Sequence, residues 1–260
     1  MREEKLRLVI KPCLFVPDIT ERENKGKRVH SVGYRRCNFR CDFCSFGKNA
    51  YSSAPEFTLE SFEQKLWELM SYSKSFKFTG GEPVLNPRLP ELLRLVKLYS
   101  GHTFLDTNGS FPEKMQALLD EKLVDTVGIS LKGLSPSEAL KNSGIKNQKL
   151  CWDNVLETLN ICATDENART ILTYVACEGD FGYEDMERLY ELIKDYPRLY
   201  LKINNCYLPE RINYRRVGLD KGEIFAIVSR FVEAHPDFKG RTVLFADYEA
   251  CLDEEKAIYF

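Results

Sequence analysis

Three cysteines lie inside eight residues, "CNFRCDFC" from Cys37 to Cys44. Clustered thiolates suit a soft or borderline metal centre. Three of them can hold three irons of a [4Fe-4S] cube and leave the fourth iron open, whereas ferredoxin clusters use four cysteines. A structural zinc site is normally closed by four Cys or His ligands in paired spacing. The chain has three histidines, His30, His102 and His235, and none completes such a pattern. A thioredoxin-like dithiol needs two sulfurs at a helix start. Cys41 and Cys44 have that spacing but leave Cys37 over. The spacing favours an open cluster, with zinc, a redox dithiol and a chance grouping as the alternatives.

Three further polar motifs have chemical potential: "TGGEP" (79–83), "DTNGS" (106–110) and "SLKG" (130–133). Each sits at the end of an apolar run. The runs "VHSVGY" (29–34), "SFKFTG" (75–80), "HTFLDTNG" (102–109), "DTVGISLK" (125–132), "TILTYVAC" (170–177) and "RLYLKINN" (198–205) are rich in β-branched and aromatic residues and read as strands. Amphipathic segments between them read as helices, the first capped by Thr58. Strict β–α alternation predicts right-handed crossovers and a parallel sheet. Six units fall short of an eight-stranded barrel, so the expected fold is α/β, an open partial (β/α)6 barrel. Chemistry in such folds sits at the carboxyl ends of the strands, where all four motifs converge. Gly80 and Gly81 would admit a ligand against the backbone, although "GGEP" alone reads as a turn. Residues 1–28 read as a charged extension that wraps the barrel or hangs loosely, 29–215 as the core, and 216–260 as a C-terminal helix and strand completing it. Within this, 207–220 reads as a loop.

The 260 residues are 43% apolar, enough for a sizeable core, and 37 Lys and Arg balance 39 Asp and Glu. No electrostatic footprint for nucleic acid or an anionic membrane stands out. No apolar run approaches the roughly 18 residues of a membrane span, and the N-terminus mixes acids with bases, unlike a signal or transit peptide. The expectation is a soluble, cytoplasmic protein. Nine cysteines, an odd number, without a secretory signal point to metal or redox chemistry rather than a disulfide framework. Cys13, Cys151, Cys162, Cys177, Cys206 and Cys251 read as small buried hydrophobes.

"CNFRCDFC", with Phe43 just before its third cysteine, followed by "GGEP", resembles the radical S-adenosylmethionine (radical SAM) superfamily over roughly residues 29–210. The resemblance implies a [4Fe-4S] cluster on Cys37, Cys41 and Cys44, with S-adenosylmethionine on the open iron. It implies an edge at Thr79, Gly80, Gly81 and Glu82 that receives the methionine ammonium, and Phe43 near the adenine. An electron from reduced flavodoxin or ferredoxin would then cleave the sulfonium to a 5′-deoxyadenosyl radical that abstracts a substrate hydrogen. Arg35, Arg36 and Arg40 suit docking of an acidic carrier. "DTNG" and "SLK" further resemble the glycyl-radical-enzyme activases of the pyruvate formate-lyase activase type. That likeness implies Lys132 on the cofactor carboxylate and Asp106, Thr107, Asn108 and Ser130 in the cofactor site. It also implies a monovalent cation at Asp106 and Thr107, and a glycyl radical enzyme as partner. Ser130 stands where activases carry Asp, and Thr173 about where they carry a cofactor-binding Arg. These departures keep a second reading open, an enzyme acting on a peptide or small metabolite. A non-catalytic, zinc-stabilised binding module is the third.

Overall fold

Alternation along each strand sends neighbouring side chains to opposite faces of a sheet, and here the helix-facing side is mostly apolar. The computed structural model describes residues 6–14, 29–44, 56–206, 216–247 and 256–260. The parallel strands run β2 (Val29–Tyr34), β4 (Ser75–Gly80), β5 (His102–Thr107), β6 (Thr126–Leu131), β7 (Arg169–Ala176), β8 (Leu199–Asn205) and β9 (Thr242–Phe245), in that spatial order. Phe76, Phe78, Leu105, Val127, Ile129, Leu172, Leu201 and Ile203 point to the helices and form the main core with them. The opposite face carries Lys77, Thr79, Asp106, Ser130 and Thr173. The fold is therefore the expected α/β open, partial barrel.

Helices α1 (Leu59–Met70), α2 (Leu89–Leu98), α3 (Pro112–Asp120), α5 (Asn154–Thr164), α6 (Tyr183–Ile193) and α7 (Lys221–Ala234) lie where periodicity puts them. Thr58 caps α1 in a reciprocal box with Ser61. Among the described residues, strict alternation fails between β6 and β7. An extra helix, α4 (Pro136–Ser143), precedes α5 between β6 and β7. Its signals are Ser135, which caps Glu138 N, and Pro136 in the first turn. Its apolar stripe is too thin to stand out.

The N-terminal segment also departs from expectation, because residues 6–14 join the sheet. There β1 (Leu6–Leu14) pairs antiparallel with β2, Leu8 opposite Tyr34, and with the short β3 (Glu56–Phe57). The register shifts between Lys11 and Leu14, around Pro12, which has no N–H for a ladder. At the other edge β10 (Ile258–Tyr259) pairs antiparallel with β9. Of the expected loop at 207–220, residues 207–215 lie outside the described residues. Residues 216–220 carry no regular structure.

The ends of β2, β4 and β5 are knotted together by the "GGEP" turn. Gly81 N donates to Tyr34 O at 2.6 Å and Glu82 N to Arg36 O at 2.7 Å. The backbones meet so closely that a Cβ on Gly81 would stand 2.2 Å from Arg36 O. Gly80, at φ +106°, occupies a conformation that side chains disfavour. The two glycines thus admit the neighbouring strand's own backbone, where the sequence suggested a ligand. Glu82 is fully buried. Its Oε1 accepts from Thr107 Oγ1 at 2.8 Å and Val84 N at 3.1 Å, and its Oε2 from Asn108 N at 2.6 Å. Burial nevertheless pushes its carboxyl up to about 7, against these donors and the Lys132 charge.

Two outcomes are expected. Gly81→Ala should cost at least about 2 kcal/mol of stability in denaturant unfolding, because backbone must move to relieve the overlap. Glu82 holds its proton in the folded chain where an ordinary carboxyl, at 4.5, has lost it. Its stabilising contribution is complete below that value and is lost as pH rises through 7. Unfolding midpoints of the apo chain between pH 5 and 8 should show this decline, and Glu82→Gln should abolish it.

Candidate cluster and cofactor site

The cysteine loop runs from Arg35 to Cys44 directly after β2, at the carboxyl end of the sheet. Cys37 is exposed and Cys41 and Cys44 are half-buried. Short-range bonds bend the loop on itself. Cys44 N donates to Cys41 O at 3.4 Å and Phe39 N to Cys37 Sγ at 3.4 Å.

Four other elements hold the loop from outside. From the turn after β5, Asn108 Nδ2 donates to Asn38 Oδ1 at 2.8 Å and lies 3.9 Å from Cys37 Sγ, while Asn38 Nδ2 donates to Ser110 Oγ at 2.9 Å. From the end of α4, Ser143 O accepts from Arg40 N at 2.8 Å. Gly144 follows at φ +65°, where a Cβ would lie 2.5 Å from Arg40 O. Arg216 places Nε 3.4 Å from Asp42 Oδ2, donates to Asn142 Oδ1 at 3.0 Å and pairs with Asp180. Phe43, inside the loop, packs on Cys177, Cys206, Cys41 and Val175.

Lys132 follows β6 and brings its ammonium 5.6 Å from the centre of the Phe43 ring. Its charge reaches Cys37, Cys41 and Glu82. Burial pushes the Cys41 thiol up to about 11, and Lys132 is the largest opposing influence. A buried thiol of this kind releases its proton when a metal takes its place. The donor set suits a cluster better than a single ion. A mononuclear thiolate site needs sulfurs about 3.8 Å apart, given tetrahedral bonds of about 2.3 Å. Among the described residues no three Cys, His, Asp or Glu side chains are gathered to hold one ion. A cube binds each sulfur to its own iron, so it makes no such demand.

The cysteines, Phe43, Lys132 and Asn108 therefore share one rim with the Thr79–Glu82 turn. The geometry bears on two expectations. Glu82 belongs to the Thr79–Glu82 edge expected to receive the methionine ammonium, and its carboxyl already accepts from Thr107, Val84 and Asn108. The proposed cation ligands Asp106 and Thr107 face opposite sides of the sheet, as neighbours in a strand must. Thr107 Oγ1 turns to Glu82, while Asp106 Oδ2 accepts from Thr79 Oγ1 at 3.0 Å and pairs with Lys77 Nζ at 2.9 Å. Lys77 is nearly buried, with its ammonium 4.1 Å from the centre of the Phe104 ring. A built-in cation thus already sits on Asp106. Ser130 is half-buried and registers with Thr173 on β7, so the two departures from the activase pattern are neighbours.

Sequence reading missed Lys77, Asn38, Ser110 and Arg216. Lys77 had a signal, as a lone charge between Phe76 and Phe78 whose alternation places it on the face away from the helices. Arg216 had none, since only the fold brings it to Asp42.

The radical SAM superfamily model matches residues 31–193, more than half of the chain. Among curated proteins, the probable GTP 3′,8-cyclase of Thermococcus kodakarensis is 27% identical over 127 residues, covering 48% of this chain and 41% of that protein. The putative glycyl-radical enzyme activating enzyme MJ1632 of Methanocaldococcus jannaschii is 29% identical over 116 residues, covering 44% and 43% respectively. The matched stretch thus spans less than half the length of these relatives. Streptococcus suis SuiB bound to S-adenosylmethionine shares the fold at a TM-score of 0.62 and 15% identity, over 82% of this chain and 48% of that one. A second SuiB structure holds precursor peptide SuiA (TM-score 0.61, 16% identity, 80% and 46% covered). The three-cysteine loop and the knotted "GGEP" turn fall within the matched residues, and the chain belongs to the radical SAM superfamily.

Proposed function

We propose that this radical SAM enzyme is a glycyl-radical activase, taking a hydrogen from a backbone glycine of a partner protein. One arrangement carries the reading. The "DTNG" and "SLK" turns bring Asn108 and Lys132 to the cysteine loop, Asn108 bonded to Asn38 and Lys132 over Phe43. The likeness to the M. jannaschii protein named as an activating enzyme supports it.

Cys37, Cys41 and Cys44 would hold the cluster, and Lys132 would receive the cofactor carboxylate. Bound there, the cluster and S-adenosylmethionine supply the one-electron chemistry that hydrogen abstraction from an unactivated C–H requires. The Thr79–Gly81 backbone would orient the amino group. Exposed Arg35, Arg36 and Arg40 offer a positive face to an acidic donor, reduced flavodoxin or ferredoxin. Lys77 on Asp106 makes an added monovalent cation unnecessary. A second reading, modification of a peptide or small metabolite, is favoured by Ser130, Thr173 and that Lys77–Asp106 pair, all unlike the activase pattern.

The decisive test mixes the anaerobically reconstituted enzyme, S-adenosylmethionine and a reductant with an enzyme bearing a glycyl-radical loop. A glycine-centred paramagnetic doublet together with 5′-deoxyadenosine is expected. 5′-Deoxyadenosine without the doublet would overturn the activase reading in favour of the second. Lys132→Ala should weaken S-adenosylmethionine binding by about 1.5–3 kcal/mol, the range for a hydrogen bond to a charged group, as read by equilibrium binding. Cofactor affinity of the native chain should be equal in potassium and in tetramethylammonium buffers. Lys77→Ala should create a preference for potassium.

A further inference from the structure

Two cysteines outside the cluster loop are brought together by strand register alone. Ala176 on β7 pairs with Asn205 on β8, so the next rung holds Cys177 and Cys206. Cys206 N donates to Ala176 O at 2.7 Å, carrying the ladder one bond past both strands. Adjacent strands lie about 4.8 Å apart, inside the roughly 4.4–6.8 Å of Cα separation that a disulfide spans. Both side chains take the same side of the rung and pack with Phe43 and Val175. Cys206 Sγ donates to Arg216 O at 3.8 Å. The two residues are 3% and 5% exposed.

We propose that Cys177 and Cys206 form a redox-active dithiol beside the cluster loop, closing to a disulfide with a small disulfide oxidant such as glutathione disulfide. One thiolate attacks the oxidant's S–S bond, forming a mixed disulfide and releasing one glutathione thiolate. The second thiol, losing its proton to solvent, attacks the Sγ of the first cysteine, breaking the mixed disulfide and releasing the other glutathione as a thiolate. Two protein thiols are oxidised and one glutathione disulfide is reduced to two glutathiones. The new bond draws the sulfurs, which pack with Phe43, to about 2.05 Å. Nothing in this step depends on the substrate of the enzyme or on a bound cluster.

Thiol mapping tests it. The full chain, purified anaerobically, is equilibrated in glutathione buffers from fully reduced to fully oxidised, denatured under alkylating conditions and digested for mass spectrometry. The alkylated Cys177 and Cys206 peptides should disappear together, replaced by one cross-linked species lighter by two hydrogens and restored by dithiothreitol. Cys206→Ser should leave Cys177 free of any intramolecular cross-link at every ratio. Persistence of both alkylated peptides in glutathione disulfide alone would overturn the proposal. So would pairing of either residue with Cys37, Cys41 or Cys44.

Discussion

A carboxylate with no exposed surface ties together the end of the sheet on which the chemistry depends. Glu82 follows two glycines whose missing side chains let β4 touch the backbone leaving β2, and its oxygens then collect donors from Thr107, Asn108 and Val84. The backbone of this turn holds the end of β2, and the Glu82 side chain holds the end of β5. The cysteine loop leaves β2 at this knot, and Asn108, whose amide is bound by Glu82, reaches across to Asn38. Burying a carboxyl is costly unless it is well supplied with partners. The high proton affinity of Glu82 marks that cost.

The loop gains its shape from its neighbours rather than from regular structure of its own. Asn108 and Ser110, the end of α4 and Arg216 hold it from different directions, and Phe43 pins it to the rim of β7 and β8. A site that binds a cluster and a small cofactor benefits from ligands placed before binding, because less conformational entropy remains to be lost. Lys132 completes the electrostatics as a cation near thiols that must become thiolates. The Lys77–Asp106 pair, lower on the same face, carries no net charge.

Much of this was legible in the residues. Strands 29–34 and 75–80 end where predicted, the second on Gly80 at positive φ. The run at 102–109 stops two residues early because Asn108 and Gly109 turn, Gly109 at φ +75°. The N-terminal strand was hidden by its charges and by Pro12, which mimic a loose tail. Helix α4 was hidden by its small apolar stripe. The contacts of Gly80, Gly81, Glu82 and Thr107 were not legible, because motif spacing does not reveal how closely two strand ends approach. The Cys177–Cys206 rung was invisible for another reason: 28 residues and a helix separate the two cysteines, and only the β7–β8 register makes them neighbours.

The claim beneath all of this is that three thiols hold a cluster with one iron left for a sulfonium cofactor. Electron paramagnetic resonance of the reconstituted, chemically reduced protein tests it most directly. A reduced-cluster signal whose g-values shift when S-adenosylmethionine is added is the predicted result. A signal unmoved by the cofactor, or no signal from fully loaded protein, would contradict it.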